Sequence, residues 1–108
     1  MGEAIGGKGT RTAKLEEMVE QNPDAPFPRY ALALEYRSAG LSDEALELFE
    51  GLIRRQPEYV PAYLQFALLL QECGDDDRMV EILNQGIAAA ARQGDRKAVE
   101  ELSALLEE

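Results

Sequence analysis

An all-α fold, a right-handed α-solenoid of helix-turn-helix repeats closed by a C-terminal capping helix, is the architecture this sequence predicts. Three observations carry the expectation. The chain matches itself when shifted so that Pro23 falls on Pro57, its apolar residues recur at helical spacing, and Gly and Pro fall between the periodic stretches. The absence of Trp and an aromatic content of 6% also leave little material for a β-sandwich.

Taken in order, residues 1–12 contain Gly2, Gly6, Gly7 and Gly9 without helical periodicity and read as a flexible tail. Residues 13–108 read as one repeat domain. A leading half repeat, 13–25, holds a helix from about Ala13 to Gln21 with Leu15, Met18 and Val19 on one face, stopped by Asn22-Pro23. The first full repeat, 26–59, opens with Pro26 and Pro28 in a first helical turn, where a missing N–H costs nothing. That helix runs to about Ala39 and ends at Gly40. Ser42 then offers an N-cap, Asp43 and Glu44 suit the positive end of the helix dipole, and Ala45, Leu46, Leu48, Phe49, Leu52 and Ile53 supply the buried face. Pro57 ends it.

The second full repeat, 60–93, starts again with Pro61, and here the self-match is explicit. With Pro23 on Pro57, Ala33 falls on Ala67, Leu34 on Leu68 and Gly40 on Gly74. Leu15, Phe49 and Leu83 form a triple, as do Val19, Ile53 and Ile87. Ala91 stands where a repeat-ending Pro would fall, so an extended helix is expected from about Asp76 to Arg92. The capping segment, 94–108, follows Gly94 with Asp95 as cap. Its stripe of Ala98, Val99, Leu102, Leu105 and Leu106 faces inward, with charges outside.

Period and pattern resemble the tetratricopeptide repeat. The family's spacing of Trp, Leu-Gly, Tyr, Ala, Phe and Pro appears as Arg29, Leu32-Ala33, Tyr36, Ala45, Phe49 and Pro57 in the first repeat. In the second it appears as Tyr63, Phe66-Ala67, Leu70, Met79, Leu83 and Ala91. The overall pattern is similar to small bacterial repeat proteins with no assigned activity. The resemblance implies a scaffold or adaptor that holds a peptide or helix in an apolar concave groove. Carried over by position, the partner-binding groove residues are Phe27, Tyr30, Leu34 and Arg37, with Leu64, Leu68 and Gln71 in the second repeat. The Lys and Asn carboxylate clamp of one family subtype is missing, because Tyr30, Leu34, Leu64 and Leu68 stand there. Either the strip is open to a partner, or the leading or final helix folds over it. An alternative role is a self-assembling structural module that pairs through exposed solenoid faces such as Met18 and Val19.

Charge narrows the partner class. Residues 1–14 carry Lys8, Arg11 and Lys14 against Glu3, a net of +2, which leaves −12 on the rest of a chain whose total is −10. A body that acidic repels phosphate backbones and anionic headgroups, so nucleic acid and membrane surfaces are not expected partners. A protein or peptide is, and self-association stays possible. The single Cys73 excludes an intramolecular disulfide and favours a cytoplasmic setting.

Catalytic chemistry finds no foothold. With no His in the chain, the commonest general base and the usual zinc ligand sets are absent, and no enzyme, cofactor or metal site is expected. Gly2 to Lys8 has the spacing of a phosphate-binding loop, but Gly9 replaces the required Ser or Thr and no strand precedes it. Asp75, Asp76 and Asp77 lack the alternating ligands of a calcium loop and read as helix capping. Cys73 matches Ala39 across the repeat and reads as a small packing residue.

Overall fold

The structure, a computed structural model, describes residues 9–108. The described residues form six α-helices: α1 (Thr10–Gln21), α2 (Pro26–Ser38), α3 (Ser42–Arg55), α4 (Val60–Glu72), α5 (Asp76–Arg92) and α6 (Arg96–Leu106). They divide into two compact units, residues 9–55 and 56–108. In the first, α2 packs against both α1 and α3. In the second, α5 packs against both α4 and α6.

Five helices lie where the punctuation puts them, to within a residue or two. The three turns that follow α2, α4 and α5 share one geometry. Gly40, Gly74 and Gly94 adopt φ of 81°, 82° and 70°, a region that a Cβ disfavours. The next amide then reaches back across the helix end: Leu41 N–H to the Tyr36 carbonyl at 2.8 Å, Asp75 to Leu70 at 2.9 Å, and Asp95 to Ala90 at 2.9 Å. Carbonyls that a helix end would leave orphaned are thereby satisfied. Asp75 and Asp95 cap the following helices, their side chains accepting from the Arg78 N–H at 3.2 Å and the Ala98 N–H at 3.1 Å. The acidic run at Asp75–Asp77 thus has a capping role in the structure.

The first helix corrects the expected tail. Residues 1–8, including the Gly2–Lys8 loop pattern, lie outside the described residues. Thr10, Arg11 and Thr12, assigned to the tail, belong to α1, with Gly9 as the extended residue before it. The reason is packing. Thr12 lies one turn before Leu15 on the same face and is buried with it, so a residue that carries no apolar signal extends the inward stripe. Arg11 pairs with Glu35 of α2 at 2.8 Å, and the Tyr36 hydroxyl donates to the Glu16 carboxylate, joining α1 to α2 twice more.

In the first unit the core is Leu15, Leu32, Ala33, Tyr36, Ala45, Phe49 and Leu52. In the second it is Ala62, Tyr63, Phe66, Leu69, Ile82, Leu83 and Leu102. Cys73 departs from its expected packing role: it is exposed, at the residue that ends α4. Equivalence with Ala39 read its size correctly but not its burial: Ala39 is itself only half-buried and Cys73 is exposed.

Candidate partner-binding faces on α2 and α4

Helical periodicity gives α2 and α4 two faces each. On α2, Ala31, Leu32, Ala33 and Tyr36 are buried, and on α4 so are Ala62, Tyr63, Phe66, Ala67, Leu69 and Leu70. The residues assigned to partner binding fall on the remaining surface. Phe27 is 60% exposed, Tyr30, Leu34 and Arg37 are half-buried, Leu64 and Leu68 are half-buried, and Gln71 is exposed. None of the seven is buried in its unit.

The two helices carry this face in register. Tyr30 and Leu64, Leu34 and Leu68, and Arg37 and Gln71 are each separated by the same offset as Pro23 and Pro57, as are Phe27 and Pro61. An aromatic or aliphatic pair at i and i+4 therefore recurs at the same height on each helix. Apolar side chains held half in water thus recur at matching positions on the two helices.

Each helix is anchored at its start by a polar side chain that the sequence pattern treats as unlike. Tyr63 donates its hydroxyl to the Pro57 carbonyl at 2.6 Å, and Arg29, its equivalent in the first repeat, donates a guanidinium N–H to the Pro23 carbonyl at 3.2 Å. Arg29 thus replaces an aromatic ring yet preserves the bond that fixes the entering chain. Burial and the neighbouring Arg55 hold Arg29 below its usual range, with Asp24 opposing. Burial pushes the Tyr63 hydroxyl up, assisted by the charge of Glu58, while Arg92 pulls it down.

The turn ahead of each helix is also clasped by an arginine from the end of its hairpin partner. Arg55 of α3 reaches Asp24 at 3.4 Å, and Arg92 of α5 reaches Glu58 at 2.7 Å. Gln93 adds bonds to the Glu58 carbonyl at 2.7 Å and to its carboxylate at 3.1 Å. Hydrogen bonds from Arg92 and then Gln93 hold the Glu58 carboxyl below its usual value.

Sequence reasoning missed one residue that shapes α4. Gly86 of α5 lies against the Tyr63 ring, and a Cβ built there would fall 2.6 Å from the Tyr63 Cβ and 3.1 Å from the Leu102 Cδ1. The available signal was a glycine inside a helix, at the position equivalent to Leu52 of the first repeat. For chemistry other than binding, the described residues hold no group of three or more His, Cys, Asp or Glu that could ligate a metal. No helix among them is long and apolar enough to cross a membrane.

Repeated helical hairpins define a helical-repeat module, a class typically devoted to protein–protein interaction. Known proteins agree. The chain is 34% identical to a tetratricopeptide repeat domain protein from Salinibacter ruber, whose solution structure superposes with a TM-score of 0.74 over 78% of this chain and 85% of that one. A Bordetella parapertussis protein, also solved in solution, superposes with a TM-score of 0.76 at 29% identity, over 93% of this chain and 87% of that one. A TPR repeat-containing protein of Pseudomonas aeruginosa is 28% identical over 92 residues, 85% of this chain and 88% of the relative. No family model matches the chain. The chain belongs to the tetratricopeptide repeat family.

Proposed function

We propose that the protein is a non-catalytic adaptor that binds a polypeptide through the exposed faces of α2 and α4. The contact residues in this reading are Phe27, Tyr30, Leu34 and Arg37 of the first unit and Leu64, Leu68 and Gln71 of the second. The observation that carries it is the recurrence of half-buried apolar residues, Tyr30 with Leu34 and Leu64 with Leu68, on the two helices that open the repeats. Such an i, i+4 strip complements an apolar peptide or the apolar face of a helix. Arg37 at its edge supplies one cation. The chain's charge of −10 disfavours nucleic acid and anionic membrane as alternatives. A cytoplasmic setting, which keeps the exposed Cys73 thiol reduced, belongs to the same reading.

The test is affinity capture from the source organism with wild type beside a Tyr30→Glu, Leu64→Glu, Leu68→Glu variant, both checked for helicity by circular dichroism. Partners held by wild type and lost by the folded variant are the expected result. Identical capture by both proteins rejects these faces as the binding surface.

A further inference from the structure

Among the described residues, α1 packs on α2 alone and has no counterpart of the helix that precedes α3 and α5. Arg11, Leu15 and Met18 of α1 are equivalent by the repeat offset to Ala45, Phe49 and Leu52 of α3 and to Met79, Leu83 and Gly86 of α5. In α3 all three are fully buried in a hairpin with α2. In α5 the last of them, Gly86, lies against Tyr63 of α4. This flank therefore receives the first helix of each hairpin. On α1, whose other flank is occupied by α2, Arg11 and Lys14 are exposed and Met18 is 39% exposed. Thr10, Arg11, Lys14, Leu15 and Met18 line an open hollow of about 390 Å3 there.

At the other end, α6 packs on α5 as α2 packs on α1, but among the described residues no helix follows it. Beyond buried Leu102, its exposed stripe is Lys97, Glu100, Glu101 and Ala104, spaced i, i+3, i+4 and i+7, with exposed Glu107 and Glu108 just after. The α1 flank carries the exposed Lys14 and an accessible thioether, with Arg11 beside them engaged by Glu35 of α2. The α6 stripe carries carboxylates around a small residue that permits close approach.

We propose that α6 of one copy docks on the Lys14–Met18 flank of α1 in a second copy, forming between molecules a helix pair that the described residues do not form within one. Glu100 and Glu101 meet Lys14, and Met18 packs beside Ala104. The contact is heterologous, so it propagates head to tail until it closes or stays open. It does not depend on the adaptor reading, because it uses neither exposed face of α2 and α4.

Sedimentation of the wild-type chain from micromolar to millimolar concentration tests it, at low and at high salt. Mass should rise with concentration and the rise should weaken in salt. Lys14→Glu and, separately, a Glu100→Lys, Glu101→Lys variant should each weaken association at least about tenfold, since like charges then face each other. Mixing the two variants restores opposite charges at every contact and should restore association. Circular dichroism on each variant separates lost contact from lost fold. A wild type that stays monomeric throughout, variants that associate as wild type does, or a mixture that fails to recover would each overturn the proposal. Capture of a foreign partner by the Lys14→Glu variant is expected to persist, which keeps this result separate from the adaptor test.

Discussion

Two glycines inside helices, Gly86 and Gly51, put opposite constraints on the same kind of position. At Gly86 a methyl group would sit 2.6 Å from the Tyr63 Cβ, closer than side-chain carbons approach, and Tyr63 is itself held by its bond to Pro57. Gly86→Ala is therefore expected to destabilise the protein. Overpacking costs about 1–3 kcal/mol, more than the ~1 kcal/mol of helix propensity that Ala contributes. At Gly51 the nearest atom to an added Cβ is the Arg29 Nη1 at 3.9 Å, an ordinary contact. Gly51→Ala is expected to stabilise by up to about 1 kcal/mol. Urea denaturation of both variants checks the pair, and a stabilised Gly86→Ala would contradict the packing described. Arg29 shows how far residue identity can mislead at this scale. Read as a loss of the aromatic at that position, it keeps the bond to the carbonyl six residues earlier that Tyr63 makes in the second repeat. Chemical type gave no hint of the shared role; only the matching positions of Pro23 and Pro57 did.

At the scale of elements, the helices and turns were legible because their ends are written in residues with few alternatives. Pro26, Pro61, Gly40, Gly74 and Gly94 each mark a boundary within a residue or two, and Ala91 in place of Pro marks the length of α5. The start of α1 was not legible, since Thr12 enters the buried stripe without an apolar side chain and Gly9 makes no side-chain cap. The clasp between α5 and the turn before α4 was equally hidden. Glu58 and Arg92 lie a whole repeat apart, and no local pattern joins them. That clasp has a pH signature. Glu58 titrates lower in the folded protein than its ordinary value of 4.5, chiefly through the hydrogen bond from Arg92. The folded state thus binds fewer protons there than the unfolded state. Its contribution is present above about pH 4.5 and is lost as pH falls through the lowered value. Glu58→Gln should flatten the acid limb of a stability–pH curve in this range and leave its slope above pH 6 unchanged. Thermal melts from pH 3 to 7 measure this, and an acid limb as steep as that of wild type would contradict it.

Across the whole molecule, the sequence carried the repeat further than it carried the surface. The repeat offset was visible because stacking demands the same residue in the same place twice, as with the buried Ala33 and Ala67. Exposure is not written that way. Tyr30 and Leu64 share a position without sharing a side chain, and Cys73 is exposed where equivalence with Ala39 suggested a packing role. Which side of a helix faces water is decided by the helices packed against it, so burial had to come from the fold. The acidity of −10 belongs to this scale too, and in the proposed adaptor reading it acts before contact and disfavours polyanions.

The adaptor reading stands or falls on where a partner touches. A photo-crosslinking phenylalanine placed at Leu34 or Leu68, and as a control at Val80 of α5, which is apolar and 41% exposed, reads this directly in cell lysate. The account predicts crosslinks to another polypeptide from positions 34 and 68 and none above background from position 80. Equal crosslinking from all three positions, or crosslinks from position 80 alone, would contradict it.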